Sequence, residues 1–256
     1  MAEALARASD RLGFFGGRVT YAPTVGSTSD VAARVAQAEP GEGRVVVADE
    51  QTAGRGRLGR AWASPPGAGL YMSIVLRPAP VVAPLVTLMA GVAVAEGVEA
   101  ATGLRPELKW PNDLLVGRRK LGGILAEGSV ATEGLQYVVL GIGVNLLNAS
   151  YPPEIAGRAT SLESELGRRV DRGLVLAEIL AAIGWRYTHL AAGRRAALLD
   201  DWRALAPSAK GRRVEWDVAE GEVRGGITHG IDESGALVVR TNEGIERIVA
   251  GEVRWE

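Results

Sequence analysis

The pattern of apolar residues changes character at Pro207, and that break sets the limits on the fold. Before it, short β-branched or alternating runs flanked by Gly, Pro and charges predict strands over 44–48 (RVVVA) and 70–76 (LYMSIVL). Pro84 followed by LVTLMAGVAVAEGVEAATG predicts a buried helix with Pro near its start and Gly103 at its end, its Gly91 and alanines packing closely against a sheet. Apolar runs at 114–116 and 121–125 around Gly117-Arg118-Arg119 predict a hairpin, and 135–147 adds a strand ending in Gly-x-Gly-x-Asn. Asp171 is placed to cap a helix through LVLAEILAAIGWRYTHL, and a further helix over 196–205 stops at Pro207. After Pro207 only short strands follow, over 213–218, 223–227, 236–240 and 245–249, between turns rich in Gly, Asp, Glu and Asn. Two units are therefore expected, 1–207 and 208–256. The first lacks a regular β-α-β alternation, which favours an α+β domain with a mixed, mainly antiparallel sheet packed with helices. The second suits a small SH3-like β-barrel, near the lower size limit for independent stability.

Composition removes several chemistries. The chain has no cysteine, which excludes disulfides, thiolate metal sites and a Cys nucleophile, and its two histidines, His189 and His229, are far apart. The 29 Lys+Arg against 30 Asp+Glu give a formal net charge of -1, whereas a protein that wraps DNA usually carries a basic face. The N-terminal stretch does not read as a secretory signal, and Pro80 and Pro84 interrupt the uncharged run 79–95, leaving too few residues to span a bilayer. A soluble, cytoplasmic protein is expected, without membrane or DNA as partner.

Four segments carry candidate chemistry. GRGRLGR at 54–60 threads Arg55, Arg57 and Arg60 between Gly54, Gly56 and Gly59, joining planar anion-binding forks to a backbone that approaches closely. It reads as a lid over an anion, as a basic patch, or as a solvated turn. It is neither a P-loop nor a dinucleotide fingerprint. Lys109-Trp110-Pro111-Asn112-Asp113, with Lys120 across the turn, sets two lysines at partly buried sheet positions, where an unpaired charge is expensive. Asp113, or a bound phosphate or carboxylate, would relieve that cost, and Gly122 and Gly123 would leave room for a ligand against the strand. Gly141-Ile142-Gly143-Val144-Asn145 taken alone is more often a bulge or turn than a site. Gly26-Ser27-Thr28-Ser29-Asp30 is first a helix N-cap, and a helix start also suits a small polar head group.

In order, STS at 27–29, QTAGRGRLGR at 51–60, GLYMS at 69–73, KWPNDL at 109–114, KLGGIL at 120–125, GIGVN at 141–145 and GIDESGAL at 230–237 resemble biotin-protein ligases over nearly the whole chain. The resemblance implies a fold of the class II aminoacyl-tRNA synthetase and biotin ligase type. It also implies a two-step reaction: biotin and ATP with Mg²⁺ give biotinyl-5′-AMP and pyrophosphate, and a lysine of a biotin carboxyl carrier protein then takes the biotinyl group. By position, Ser27, Thr28, Ser29, Gln51 and Gly54 match the biotin ring contacts, and Arg55, Gly56 and Arg57 match the loop that closes on the adenylate. Lys120 matches the lysine near the biotin carboxylate and α-phosphate. Lys109, Asn112, Asp113 and Asn145 match the nucleotide and metal side, with Mg²⁺ held mainly by phosphates. Gly122, Gly141 and Gly143 line the expected site, and Trp62 is set beside the adenine, against the ordinary reading of a tryptophan as packing. Lys120, Arg55, Arg57, Lys109 and Asp113 are the expected catalytic set.

Two departures bear on this. The family's S-T-N is S-T-S here, which changes the contact at Ser29, and only about two dozen residues precede Ser27, too few for the helix-turn-helix domain of repressor members. A lipoate or octanoate transferase would show R-R-x-S-G-G-G and a following His-Asp pair, and neither occurs. A nucleic-acid module explains the arginine loop but not Lys109, Asp113, Lys120 and Asn145. A fold that only senses biotin is the third rival. Antiparallel edge strands offer a route to a homodimer.

Overall fold

The computed structural model describes residues 1–218 and 222–255. Its helices are α1 (Ala2–Arg7), α2 (Thr28–Ala38), α3 (Val86–Thr102), α4 (Leu162–Leu166), α5 (Arg172–Ala191) and α6 (Arg195–Leu205). Strands β1 (Val19–Val25), β2 (Val45–Gln51), β3 (Gly69–Leu76), β4 (Glu107–Lys109), β5 (Asp113–Val116), β6 (Arg119–Ala131) and β7 (Gly134–Asn145) form a seven-stranded sheet, ordered β1-β2-β3-β7-β6-β5-β4. Only β1 and β2 pair in parallel, bridged by α2; the other neighbours are antiparallel, as the mixed α+β reading requires.

The apolar runs 45–48 of β2 and 70–76 of β3, the latter interrupted only by Ser73, do not alternate with polar residues because both faces of the sheet are covered. Val45 and Val47 point into the main core with α3 and α5, whereas Val46, Val75 and Val139 face Ala32 and Ala36 of α2. Ser27 caps α2, accepting from the Ser29 N–H, and Asp171 caps α5, accepting from the N–H groups of Gly173 and Leu174. Arg186 of α5 ties three helices together, bonding Glu96 of α3 and Asp201 of α6.

Helix α3 begins and ends as the sequence predicts, with Pro84 in a 3-10 turn, Ala83–Leu85, at its start and Gly103 at its end; the expectation it corrects is that of length, since Pro84 leads into the apolar run rather than cutting it short. The segment Ala83–Thr102 is consequently long and apolar enough to cross a membrane by composition, but it is a core helix, 72% buried over its most apolar window. Gly91 faces Leu108 and Ile124 of the sheet at ordinary van der Waals distance. The close approach is at Gly97 instead.

Beyond Pro207, β8 (Lys210–Asp217), β9 (Val223–Ile231), β10 (Leu237–Arg240), β11 (Ile245–Ile248) and β12 (Val253–Trp255) form a five-stranded antiparallel sheet, ordered β11-β10-β9-β8-β12. No pairing of β11 with β12 closes it among the described residues. Val214, Trp216, Leu237, Val239 and Val253 join the same apolar cluster as α3 and α6. The turn at Gly235 (φ 83) seats against Leu85 and Leu88, and the Trp110 indole N–H donates to the Gly235 carbonyl at 3.0 Å.

A Cβ at Gly97 would lie 2.5 Å from the Ile179 backbone, so α3 and α5 touch main chain to main chain there. Gly97→Ala is expected to lower unfolding free energy by about 1–3 kcal/mol in urea titrations. Gly91→Ala, with its nearest neighbour at 3.5 Å, should be neutral or stabilising by up to about 1 kcal/mol. Equal losses at the two positions would contradict this packing.

Candidate active site

One cavity of about 310 Å³ opens over the sheet, roofed by the 54–60 loop and edged by the second sheet at Glu252 and Val253. It brings together Ser27, Thr28, Ser29, Gln51, Arg55, Gly56, Arg57, Trp62, Lys109, Asn112, Asp113, Lys120, Gly141 and Gly143 from segments spread between residues 27 and 143.

At one end is a network of hydroxyl and amide groups. The Gln51 carbonyl oxygen accepts from the Thr28 N–H (2.8 Å) and hydroxyl (3.0 Å), and its amide donates to Ser64 Oγ at 2.9 Å. Ser73 Oγ lies 2.7 Å from Thr28 Oγ1 and 3.1 Å from Ser29 Oγ. A Cβ at Gly141 would come within 3.1 Å of Ser29 Oγ, so a bare glycine lets the helix start sit against the sheet. Gly54 is required for the same wall, since a Cβ there would meet the Trp62 carbonyl at 2.4 Å. Ser29 thus joins Ser73 in this network at the start of α2. Ser73 is the member of this network that the expected site residues lack, although a hydroxyl inside the wholly buried, otherwise apolar strand β3 is a usable signal.

At the other end five cations converge, Arg55, Arg57, Arg60, Lys109 and Lys120. Arg55 binds Asp30 at 2.7 Å and Glu127 at 3.4 Å. Arg57 donates to Asn112 Oδ1 (3.3 Å) and the Gly251 carbonyl (3.1 Å), and burial holds its guanidinium below the usual arginine range. Arg60 pairs with Glu252. The loop tip reverses through Leu58 (φ 55) and Gly59 (φ 72), the former a left-handed conformation that few non-glycine residues adopt.

Lys120 donates to Asp113 at 2.5 Å and stands 5.5 Å from the centre of the Trp62 ring. Lys109 has no carboxylate or hydrogen-bond partner of its own among the described residues; its ammonium lies 5.6 Å from the centre of the Trp255 ring. Burial pushes Lys109 below the ordinary lysine range and Lys120 adds to that, while Asp113 and Glu252 oppose it.

Several expected residues take other positions. Gly122 is not in the lining: a Cβ there would strike the Gly143 carbonyl at 2.7 Å. Gly123 and Gly143 make room for the Trp62 indole, since a Cβ at Gly143 would lie 2.6 Å from that ring. Asn145 is buried outside the lining and donates to the Thr160 carbonyl at 2.9 Å, fixing the strand that carries Lys120. No group of three or more Asp, Glu, His or Cys suited to a metal occurs among the described residues. Asp113 lies inside the cation end, while Glu252, Asp30 and Glu127 are taken up by the arginines of the rim, so a Mg²⁺ there would draw most of its ligands from phosphate oxygens and water.

Comparison with known proteins fits this geometry. Residues 21–145 match the biotin/lipoate A/B protein ligase family, and residues 211–254 match the biotin protein ligase C terminal domain. The chain is 36% identical over 242 residues to the bifunctional ligase/repressor BirA of Bacillus subtilis, covering 93% of this chain and 74% of that one. To the biotin--[acetyl-CoA-carboxylase] ligase of Mycobacterium tuberculosis it is 34% identical over 243 residues, 91% and 86% of the two chains. The biotin protein ligase from Aquifex aeolicus, solved in complex with biotin and ATP, superposes with a TM-score of 0.79 at 30% identity, covering 94% and 99%. Sequence and fold agree over both the seven-stranded sheet and the C-terminal unit, and the chain belongs to the biotin protein ligase family.

Proposed function

We propose that the protein activates biotin with ATP to biotinyl-5′-AMP and transfers the biotinyl group to a lysine of a biotin carboxyl carrier protein. The observation that carries this reading is the polarity of the cavity. Neutral donors and acceptors at the Thr28–Gln51–Ser73 end suit a urea-like ring, and Arg55, Arg57, Lys109 and Lys120 at the other end suit a carboxylate and phosphates.

In the first step a biotin carboxylate oxygen bonds to the α-phosphorus as the bond to pyrophosphate breaks. Two anions must meet, so catalysis here is positioning and charge neutralisation. Lys120 would sit at the junction of carboxylate and α-phosphate, Lys109 and Arg57 along the phosphates, and Arg55 over the adenylate. Asn112 holds Arg57 in place. Mg²⁺, when bound with the nucleotide, would neutralise phosphate charge, with Asp113 as the protein carboxylate within reach. In the second step the carrier amine attacks the biotinyl carbon, AMP leaves, and Asp113 is the carboxylate near Lys120 that can take the amine proton. Trp62, wedged against Gly143, walls the middle of the cavity and limits water at the mixed anhydride.

With a net charge of -1 the chain is read as acting on small anions and a carrier rather than on DNA, and ATP as substrate points to the cytoplasm. We take residues 1–207 as the catalytic unit and 208–256 as an SH3-like unit that completes the site through Gly251 and Glu252. A second copy would add at β1, the longer open edge of the seven-stranded sheet.

Exchange of labelled pyrophosphate into ATP tests the reading. Exchange is expected with biotin but not with octanoate or lipoate, and Lys120→Ala should reduce it by about 100-fold or more. Exchange driven by lipoate, or a fully active Lys120→Ala, would overturn the assignment.

A further inference from the structure

Among the cations of the cavity, Lys109 is held in a different way. Arg55 and Arg60 are matched to carboxylates, Lys120 to Asp113, and Arg57 to an amide and a carbonyl oxygen. Lys109 rests on an indole, 5.6 Å from its ring centre. That ring belongs to Trp255 in β12, the strand in which Val253 pairs with Trp216 and Trp255 with Val214. The body of Trp255 packs on the shared core and its indole nitrogen is buried without a partner among the described residues. The ring is therefore fixed by packing, not by a hydrogen bond of its own.

A carboxylate under Lys109 would hold the ammonium but also compete with an incoming phosphate for its N–H groups. An aromatic face attracts the cation through its quadrupole and leaves the donors free. We propose that Trp255 is the positioning residue for Lys109, presenting its ammonium to the phosphates of ATP, and that this contact is how the C-terminal sheet acts on adenylate formation. The inference rests on Lys109 serving the nucleotide, as proposed above.

The groups facing Lys109 are Asp113 on β5, Lys120 on β6 and Glu252 just ahead of β12, besides the Trp255 ring. Burial and Lys120 already disfavour its charged form. Taking away the ring removes a contact made only with the cation, so the amine loses its proton at a lower pH. Activity that needs the ammonium then fails earlier as pH rises.

The test uses the full chain with Trp255→Leu, Trp255→Phe, Lys109→Met and the double variant Lys109→Met/Trp255→Leu, measured by biotin-dependent pyrophosphate exchange over a pH series, with biotin affinity by calorimetry. Trp255→Leu is expected to raise KM for MgATP about 5- to 30-fold, the size of a partly desolvated cation–π contact. It should also move the alkaline limb of kcat/KM for ATP to lower pH, with biotin affinity within about twofold of the parent because Trp255 is outside the hydroxyl end of the cavity. Trp255→Phe should recover most of the loss. In the double variant the loss should be no greater than in Lys109→Met alone, since residues acting through one another are not additive. Additive losses, an unmoved alkaline limb, or a Trp255→Phe as impaired as Trp255→Leu would overturn the inference. If Trp255→Leu does not fold, Trp255→Met takes its place: a raised KM for MgATP that is not additive with Lys109→Met supports the contact, and an unchanged KM or additive losses refute it. Absence of exchange in the parent protein would instead refute the ligase reading itself.

Discussion

Five cations crowded around one small cavity repel one another, and the rest of the molecule is arranged to keep them there. At a separation of a few ångströms, like charges in a partly desolvated site cost several kcal/mol unless something offsets them. Asp30, Glu127 and Glu252 do so at the rim for Arg55 and Arg60, and Asp113 does so inside for Lys120. These partners are spread over α2, β6, β5 and the approach to β12, so the site exists only once both sheets are assembled. The resulting field is an unsatisfied one, concentrated where phosphate oxygens would lie.

The two lysines each stand beside an indole, Lys120 by Trp62 and Lys109 by Trp255. Both indole nitrogens are buried and unpartnered among the described residues. An unmet N–H is costly in itself. Their retention is understandable if the rings serve as cation platforms and walls, a use that depends on the π face and not on the N–H. Gly123 and Gly143 make this possible on the Trp62 side by vacating the sheet surface beneath the ring.

Much of this was legible in the sequence. Strand runs such as 44–48 and 70–76, the caps Ser27 and Asp171, and the stop at Gly103 all follow from local rules, and the structure bears them out. Most of the motif residues gather at one cavity, Gly54, Gly122 and Asn145 lying outside its lining. Other features depend on tertiary packing. Pro84 at the start of α3 was legible, but the full apolar length of Ala83–Thr102 shows only once the 3-10 turn is seen to join the helix. Gly97 resembles any helical glycine until α5 is laid against it. β12 is three residues long, too short for a period, yet it carries the ring beneath Lys109 and follows directly on Glu252. Ser73 was hidden for the opposite reason, a polar side chain within an apolar run whose partners lie on another element.

The central claim is that the cavity is preorganised for a mixed anhydride, neutral at one end and strongly cationic at the other. Calorimetry with biotin and with a non-hydrolysable analogue of biotinyl-5′-AMP tests it most directly. We expect the analogue to bind at least about 100-fold more tightly, a difference of about 2.7 kcal/mol. Most of that gain should disappear in Arg57→Ala or Lys109→Met, with biotin affinity nearly unchanged. Equal affinity for biotin and the analogue would contradict it.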